Sequence, residues 1–214
     1  MKNLISASIL GANFANIENE IKKAKNAGVD WLHFDVMDGV FVDNISFGLP
    51  VLSSIKKITD MPLDVHLMIV SPEKYIERFC KSGADILTFH VEATEDIQKC
   101  IDLCKKNDTK VGLTVKPNTP VDVVYPYLEQ IDMVLIMTVE PGFGGQGFIY
   151  ETLEKIKALR NEIIRRSLDV DIEVDGGISD KTASIAKENG ANVLVSGSYL
   201  FNADDMKLAV ETIR

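Results

Sequence analysis

Four ionisable side chains lie at or near the ends of short apolar segments. They are His33 and Asp35 in WLHFDVMDG, His66 in LDVHLM and Asp175 in IEVDGG. Side chains two positions apart on a strand project to the same face, so His33 and Asp35 would point the same way. Two imidazoles and two carboxylates form a mixed ligand set for one divalent cation, such as zinc, iron, manganese or cobalt. The ligand types alone do not choose among these metals.

The alternative for each histidine is an ordinary place in the core. Taken singly, a histidine in an apolar strand is more often bonded to a backbone carbonyl than to a metal. Four buried ionisable groups would each carry a desolvation penalty unless they are paired or metal-bound, so a shared site is the simpler interpretation. His90, which ends the segment ILTFH, fits the same pattern, and we interpret it as a structural or supporting residue.

Three glycine-rich turns follow the last three apolar segments. They are PGFGGQ at residues 141–146, Gly176 with Gly177, and Gly197 with Ser198. Glycine lets the backbone approach an anion closely, and successive N–H groups aimed inwards form a cradle for it. One such turn is more often only a tight turn. Three in succession predict a phosphate site that does not depend on basic side chains.

Asp35 and Asp175 come from segments that are far apart in the chain, so a bound substrate would have one carboxyl group on each side. Two carboxyl groups that flank a carbon next to a metal-polarised carbonyl can remove a proton from one face and return one to the other. This inverts the carbon through an enediolate, whose oxyanion the metal stabilises. A metal-dependent hydrolase could use the same ligands, so the spacing leaves both chemistries open.

Short apolar segments alternate eight times with stretches of helical periodicity, and these elements must position the polar residues. Glycines 28, 83 and 190 each follow a helical stretch, where a left-handed residue closes the last turn. Ser71 and Pro72 are expected as N-cap and first residue of the third helix. The predicted strands are 4–9, 31–36, 63–68, 86–90, 111–116, 133–138, 172–175 and 193–196. The predicted helices are 16–26, 49–58, 72–81, 95–106, 121–128, 150–166, 180–189 and 204–213.

Strands that alternate with helices predict a parallel sheet. Eight units in 214 residues predict an α/β fold, a (β/α)₈ TIM barrel in which residues 1–214 form a single domain. A barrel places function at the carboxyl ends of its strands, where the polar residues are expected. A doubly wound open sheet is the alternative. For dinucleotides it carries GxGxxG after the first strand, whereas this turn reads LGANFAN.

The composition excludes several partner classes. With 23 Lys and Arg against 32 Asp and Glu, the net charge is −9, which argues against nucleic acids and anionic membranes. No apolar run approaches the roughly 20 residues of a membrane span, and the first residues do not match a signal peptide. Three cysteines, Cys80, Cys100 and Cys104, are an odd number and do not suggest a disulfide scaffold. We therefore expect a cytoplasmic protein.

The sequence resembles the ribulose-phosphate 3-epimerases over essentially its full length. The matching motifs are, in order, SIL, HFDVMDG followed by NISFG, DVHLM, VEPGFGGQ, EVDGG and VSGS. The resemblance implies a (β/α)₈ barrel that binds a divalent metal and a small sugar phosphate. It also implies interconversion of D-ribulose 5-phosphate and D-xylulose 5-phosphate in the pentose phosphate pathway. Assembly into homo-oligomers stays open.

The resemblance also implies roles for individual residues. His33, Asp35, His66 and Asp175 would be the metal ligands, and Asp35 and Asp175 would also be the acid/base pair. Ser8 and His66 would contact polar oxygens of the substrate. Methionines 37, 68 and 137 match family residues near the reacting carbons, with ordinary packing as the alternative. The phosphate end would be bound by Gly142, Phe143, Gly144, Gly145, Asp175, Gly176, Gly177, Gly197 and Ser198.

One departure and several alternatives remain. Asp43 stands where most members of the family have proline before NISFG, so we expect a more mobile loop.

A 3-epimerase of a hexulose phosphate such as D-allulose 6-phosphate would use the same chemistry, although the intact glycine turns favour the pentulose. Related decarboxylases and synthases need a lysine in DxKxxD, which DVMD at residues 35–38 lacks. A non-catalytic sugar-phosphate binding protein would be expected to lose Asp35 or Asp175. A nucleotide-dependent oxidoreductase would need a dinucleotide fingerprint.

Overall fold

The computed structural model describes residues 2–214, whose eight strands form a closed parallel barrel in chain order, with β1 next to β8. The strands are β1 Leu4–Ser8, β2 Trp31–Met37, β3 Leu63–Met68, β4 Ile86–His90, β5 Lys110–Val115, β6 Met133–Met137, β7 Asp171–Asp175 and β8 Val193–Ser196. The helices are α1 Ile17–Asn26, α2 Leu49–Lys56, α3 Ile76–Lys81, α4 Ile97–Lys106, α5 Leu153–Arg165, α6 Ala183–Glu188, α7 Ser198–Phe201 and α8 Met206–Ile213. The TIM barrel expected from the sequence is confirmed.

The strands separate an apolar layer from a polar interior. Along β2, Leu32, Phe34 and Val36 belong to the large apolar cluster between strands and helices. His33 and Asp35 alternate with them and point into the barrel, because successive side chains of a strand lie on opposite faces. Buried polar residues also occupy interior positions of β1, β3, β4, β5 and β7: Ser6, Asp64, His66, Thr88, His90, Thr114 and Glu173.

The register between neighbouring strands brings the polar ends together. Asp35 on β2 pairs with His66 on β3, and Ser8 on β1 pairs with His33 on β2. Asp175 ends β7, at the same mouth of the barrel. All strands are parallel, so their carboxyl ends meet at one face even when the residues are far apart in sequence.

The predicted strand bounds differ from the observed ones by at most one residue, while several helices differ more. The helix predicted over 150–166 begins with a 3₁₀ turn, Tyr150–Thr152, before α5, and the helix predicted over 180–189 is the shorter α6. The segment predicted as a helix over 121–128 is a 3₁₀ helix, Val121–Gln130, with Pro126 inside it. Proline lacks the N–H that a continuous α-helix needs. The predicted helix 72–81 is split into a 3₁₀ turn, Pro72–Lys74, and α3.

Ser71 is not the N-cap that we expected. Its φ is +51° and its side chain makes no capping hydrogen bond, whereas an N-cap residue has an extended backbone. Its N–H donates instead to the Ala93 carbonyl oxygen at 3.0 Å. The left-handed backbone conformation expected just after three helices is confirmed at Gly28, Gly83 and Gly190, with φ of +88°, +113° and +115°. Within residues 2–214, no helix combines the length and apolar character needed to cross a bilayer.

Candidate active site

Four side chains from three strands converge at the carboxyl ends of the barrel. We call His33, Asp35, His66 and Asp175 the His/Asp cluster; one ligand atom from each lies within 4.8 Å of the others. Asp35 Oδ1 is 3.2 Å from His33 Nε2 and 3.3 Å from His66 Nδ1. Asp175 Oδ2 is 3.9 Å from each of the same two nitrogen atoms. Two nitrogen and two oxygen atoms therefore surround one point.

The chemistry of the cluster fits a divalent cation. His33 Nε2 is buried and makes no hydrogen bond within residues 2–214. An unpaired buried polar atom costs about 1–3 kcal/mol, which a coordinated cation would relieve. The mixed nitrogen and oxygen donor set suits several transition metals and zinc. The group can therefore hold one metal ion.

The two aspartates have opposite pKa shifts. Burial raises the pKa of the Asp35 carboxyl, but His33 and His66 outweigh burial and hold that pKa far below its usual range. Burial, reinforced by the negative charge of Asp35, raises the pKa of Asp175 to about 6. One carboxyl group thus stays ionised while the other can carry a proton near neutral pH, which suits a base and an acid. A bound cation would lower both pKa values.

Ser8 holds Asp35 from the side away from the histidines. The Ser8 Oγ donates to Asp35 Oδ2 at 2.7 Å, leaving Oδ1 for the cluster. Ser46, in the NISFG motif, donates to the Asp35 carbonyl oxygen at 2.6 Å and accepts from the Met37 N–H at 3.0 Å. Ser46 was not singled out from the sequence, although the motif contains it. It fixes the end of β2 on which Asp35 stands.

A cavity of about 770 Å³ opens above the cluster, within the usual size of a small-molecule site. His33 and His66 are fully buried beneath it and do not line it, so the expected contact of His66 with the substrate stays a prediction. The other residues expected at the site line this one cavity: Ser8, Asp35, Met37, Met68, Met137, Gly142, Phe143, Gly144, Gly145, Asp175, Gly176, Gly177, Gly197 and Ser198.

The glycine turns form the other end of the cavity. The N–H groups of Gly177 and Gly197 donate no hydrogen bond to any group of residues 2–214. Gly177 has φ of +67°, and a Cβ there would lie 2.6 Å from the Phe148 backbone nitrogen. Without side chains at these positions, the backbone can come close to a bound anion, and the two N–H groups are free to donate to it.

The comparisons with known proteins agree with this geometry. The sequence pattern of the ribulose-phosphate 3 epimerase family matches residues 4–201. A ribulose-phosphate 3-epimerase of Bacillus subtilis is 46% identical over 211 residues, covering 98% of this chain and 97% of its own. Another, from Synechocystis, is 46% identical over 216 residues and covers 100% of this chain and 94% of its own. The chain belongs to the ribulose-phosphate 3-epimerase family.

Solved structures share the barrel. A 3-keto-L-gulonate-6-phosphate decarboxylase from Vibrio cholerae superposes with a TM-score of 0.73 at 14% identity, covering 100% of this chain and 98% of the other. At that identity the likeness concerns the fold alone. The family membership of this chain rests on the sequence matches.

In this member of the epimerase family, two further carboxyl groups lie beneath the His/Asp cluster. Asp64 Oδ2 is 2.6 Å from His33 Nδ1, which leaves Nε2 facing the cluster. Both carboxylate oxygens of Glu173 are buried without a hydrogen bond in the described residues, and burial raises the pKa of Glu173 well above its usual value. The sequence analysis missed both residues. Each lies two positions before a cluster residue, so strand alternation could have placed them in the interior.

The loop after β2 touches the loop after β6. Asn44 Nδ2 donates to the Gly142 carbonyl oxygen at 2.7 Å, and Asp43 next to it is exposed. The contact ties together two of the loops that border the cavity of this epimerase-family barrel. The greater mobility expected from Asp43 stays a prediction.

Proposed function

We propose that the protein is a metal-dependent ribulose-phosphate 3-epimerase that interconverts D-ribulose 5-phosphate and D-xylulose 5-phosphate in the pentose phosphate pathway. The single observation that carries the proposal is the placement of Asp35 and Asp175 on different strands, both lining one cavity and both within 4 Å of the same two histidine nitrogens. The family relatives named ribulose-phosphate 3-epimerase support the substrate. Residues 1–214 would act as one catalytic domain, and the odd number of cysteines supports a cytoplasmic location.

The His/Asp cluster would hold one divalent cation, zinc, iron, manganese or cobalt, through His33 Nε2, Asp35 Oδ1, His66 Nδ1 and Asp175 Oδ2. When bound, the cation would polarise the substrate carbonyl and stabilise negative charge on the enediolate oxygen. The protein supplies the remaining parts of the reaction from its own side chains.

The two aspartates would move the proton at C3. One carboxylate takes the C3 proton from one face, and the other carboxyl group, already protonated, delivers its proton to the opposite face. After one turnover the two carboxyl groups have exchanged protonation states, and the reverse reaction can start from that state. Before the next forward turnover, the first group releases its proton to solvent and the second takes one up, so atoms and charge balance. Ser8 keeps the Asp35 carboxylate in place through Oδ2, since an oriented base reacts faster than a mobile one.

Three methionines would keep water away from the enediolate. Met37, Met68 and Met137 line the cavity and are 5%, 1% and 1% exposed. Their soft apolar side chains lower the local dielectric constant, which strengthens the electrostatic interactions at the reacting carbons.

The glycine turns would bind the phosphate group through backbone N–H donors, which explains anion binding by a chain of net charge −9.

Gly177→Ala is expected to raise the KM for D-ribulose 5-phosphate about tenfold, equivalent to about 1.4 kcal/mol, because the new Cβ would strike the Phe148 backbone. Steady-state kinetics check this. Gly48→Ala is the control, because a Cβ there meets nothing within 4 Å and Gly48 does not line the cavity. An unchanged KM in Gly177→Ala would exclude Gly177 from the phosphate site.

Metal removal should abolish turnover. After dialysis against a chelator, the protein is expected to lose epimerase activity and to regain it when zinc, iron, manganese or cobalt is added, with about one ion bound per chain. Metal analysis and kinetics on the same samples measure both quantities. Full activity in completely metal-free protein would contradict the proposed role of the cluster.

The function is tested by assaying purified, metal-loaded protein with D-ribulose 5-phosphate and with D-allulose 6-phosphate. We expect D-xylulose 5-phosphate to form with the higher kcat/KM. A higher kcat/KM for the hexulose phosphate would reassign the substrate. Binding of both compounds without turnover would favour the non-catalytic binding protein.

A further inference from the structure

Three side chains connect the His/Asp cluster to the edge of the barrel. His66 Nε2 is 3.0 Å from His90 Nε2, and His90 Nδ1 is 3.3 Å from Glu92 Oε2. Both histidines are fully buried, and the Glu92 side chain is 23% exposed. Phe41 packs on His90 with ring centroids 4.7 Å apart. The path from cluster to carboxylate is therefore continuous, and its two histidines are shielded from water.

Glu92 is held in place from its other side. Its Oε1 accepts the Lys116 N–H at 2.8 Å and the Thr119 hydroxyl. Burial raises the pKa of Glu92, but the hydrogen bonds from His90, Thr119 and Lys116 hold it at about 2. Glu92 is thus an ionised, acceptor-only group with one oxygen already used by two donors.

The proton positions along the chain follow from Glu92. Because Glu92 Oε2 can only accept, His90 must donate from Nδ1. A neutral imidazole has one donor and one acceptor, so His90 Nε2 is an acceptor and His66 must donate from Nε2. The His66 Nδ1 then offers its lone pair to the centre of the cluster, 3.3 Å from Asp35 Oδ1.

We propose that Glu92, acting through His90, is a positioning residue that fixes the tautomer and orientation of His66 so that its Nδ1 is available to a divalent cation. The proposal rests on the metal site of the proposed function. A carboxylate behind a metal-binding histidine also raises the basicity of the ligand, and loss of such a partner typically lowers metal affinity 10- to 100-fold.

The two histidines of the cluster present different ring nitrogen atoms to the metal site, because different carboxylates orient them. Asp64 accepts directly from His33 Nδ1, which leaves Nε2 for the metal. Glu92 acts on His66 through the ring of His90, which leaves the opposite nitrogen, Nδ1. The direct carboxylate contact and the two-step chain explain why the two rings present different nitrogen atoms to one point.

Glu92→Gln is the decisive variant, because it keeps the size of the side chain and replaces one of the two acceptor oxygens with an amide donor. The Gln oxygen would accept from Lys116 and Thr119, which turns the amide N–H₂ towards His90 Nδ1. His90 would then be protonated at Nε2 and would no longer accept from His66. Glu95→Gln, an exposed position on the same segment, is the control.

The experiment combines ¹⁵N-histidine NMR with Zn²⁺ affinity measured by chelator competition; the chain has only three histidines to assign. We expect wild-type His90 to be protonated at Nδ1 and His66 at Nε2. In Glu92→Gln we expect His90 to be protonated at Nε2 and the Kd for Zn²⁺ to rise about 10- to 100-fold. Glu95→Gln should match the wild type.

Wild-type His90 protonated at Nε2, or an unchanged Zn²⁺ affinity in Glu92→Gln, would overturn the proposal. Neither readout depends on turnover. A protein with the expected tautomers and zinc affinities that failed to epimerise D-ribulose 5-phosphate would refute the proposed function and leave the role of Glu92 standing.

Discussion

Asp35→Asn is expected to lower kcat for D-ribulose 5-phosphate by roughly 10²–10⁴-fold, the usual contribution of a general acid or base. The amide cannot accept the C3 proton, and it is also a weaker metal ligand than a carboxylate. Folding should survive, because Asn keeps an oxygen that can accept from the Ser8 hydroxyl. Steady-state kinetics, metal content and thermal unfolding are measured on the same preparation.

Asp43→Asn is the control for that variant. Asp43 is exposed on the loop that follows β2 and lies outside the His/Asp cluster. Its turnover should be close to that of the wild type. If folded, metal-loaded Asp35→Asn turned over substrate at the wild-type rate, Asp35 would not be the base.

Asp175→Asn is expected to separate two events that the wild type couples. Inversion should fall by roughly 10²–10⁴-fold, since one face of the substrate has lost its proton carrier. Exchange of the C3 proton with solvent should persist at a low rate, because Asp35 still faces the other side. NMR in D₂O measures exchange and product formation separately. Undiminished epimerisation by this variant would refute the two-acid scheme.

The sequence predicted the strands well for a physical reason. Each strand is buried on its outer face, so apolar residues such as Leu32, Phe34 and Val36 recur at every second position, and glycines lie at the turns. The polar residues alternate with them, which marks the interior face. The pairing of Asp35 with His66 depends on the register between β2 and β3, and local patterns do not contain that register.

What the sequence did not predict depends on contacts between distant elements. The short helix α7, Ser198–Phe201, follows β8 directly and has too few residues for a periodic signal. The roles of Asp64 and Glu92 depend on which histidine nitrogen each one faces. These orientations exist only after the barrel has closed and the side chains have been placed.

Proton NMR of D-ribulose 5-phosphate with purified, metal-loaded protein in D₂O tests the central claim most directly. The account predicts that deuterium enters at C3 while D-xylulose 5-phosphate accumulates, because one aspartate removes the proton and the other returns a solvent-derived deuteron to the opposite face. D-xylulose 5-phosphate that formed with its C3 proton fully retained, or no reaction at all, would contradict it.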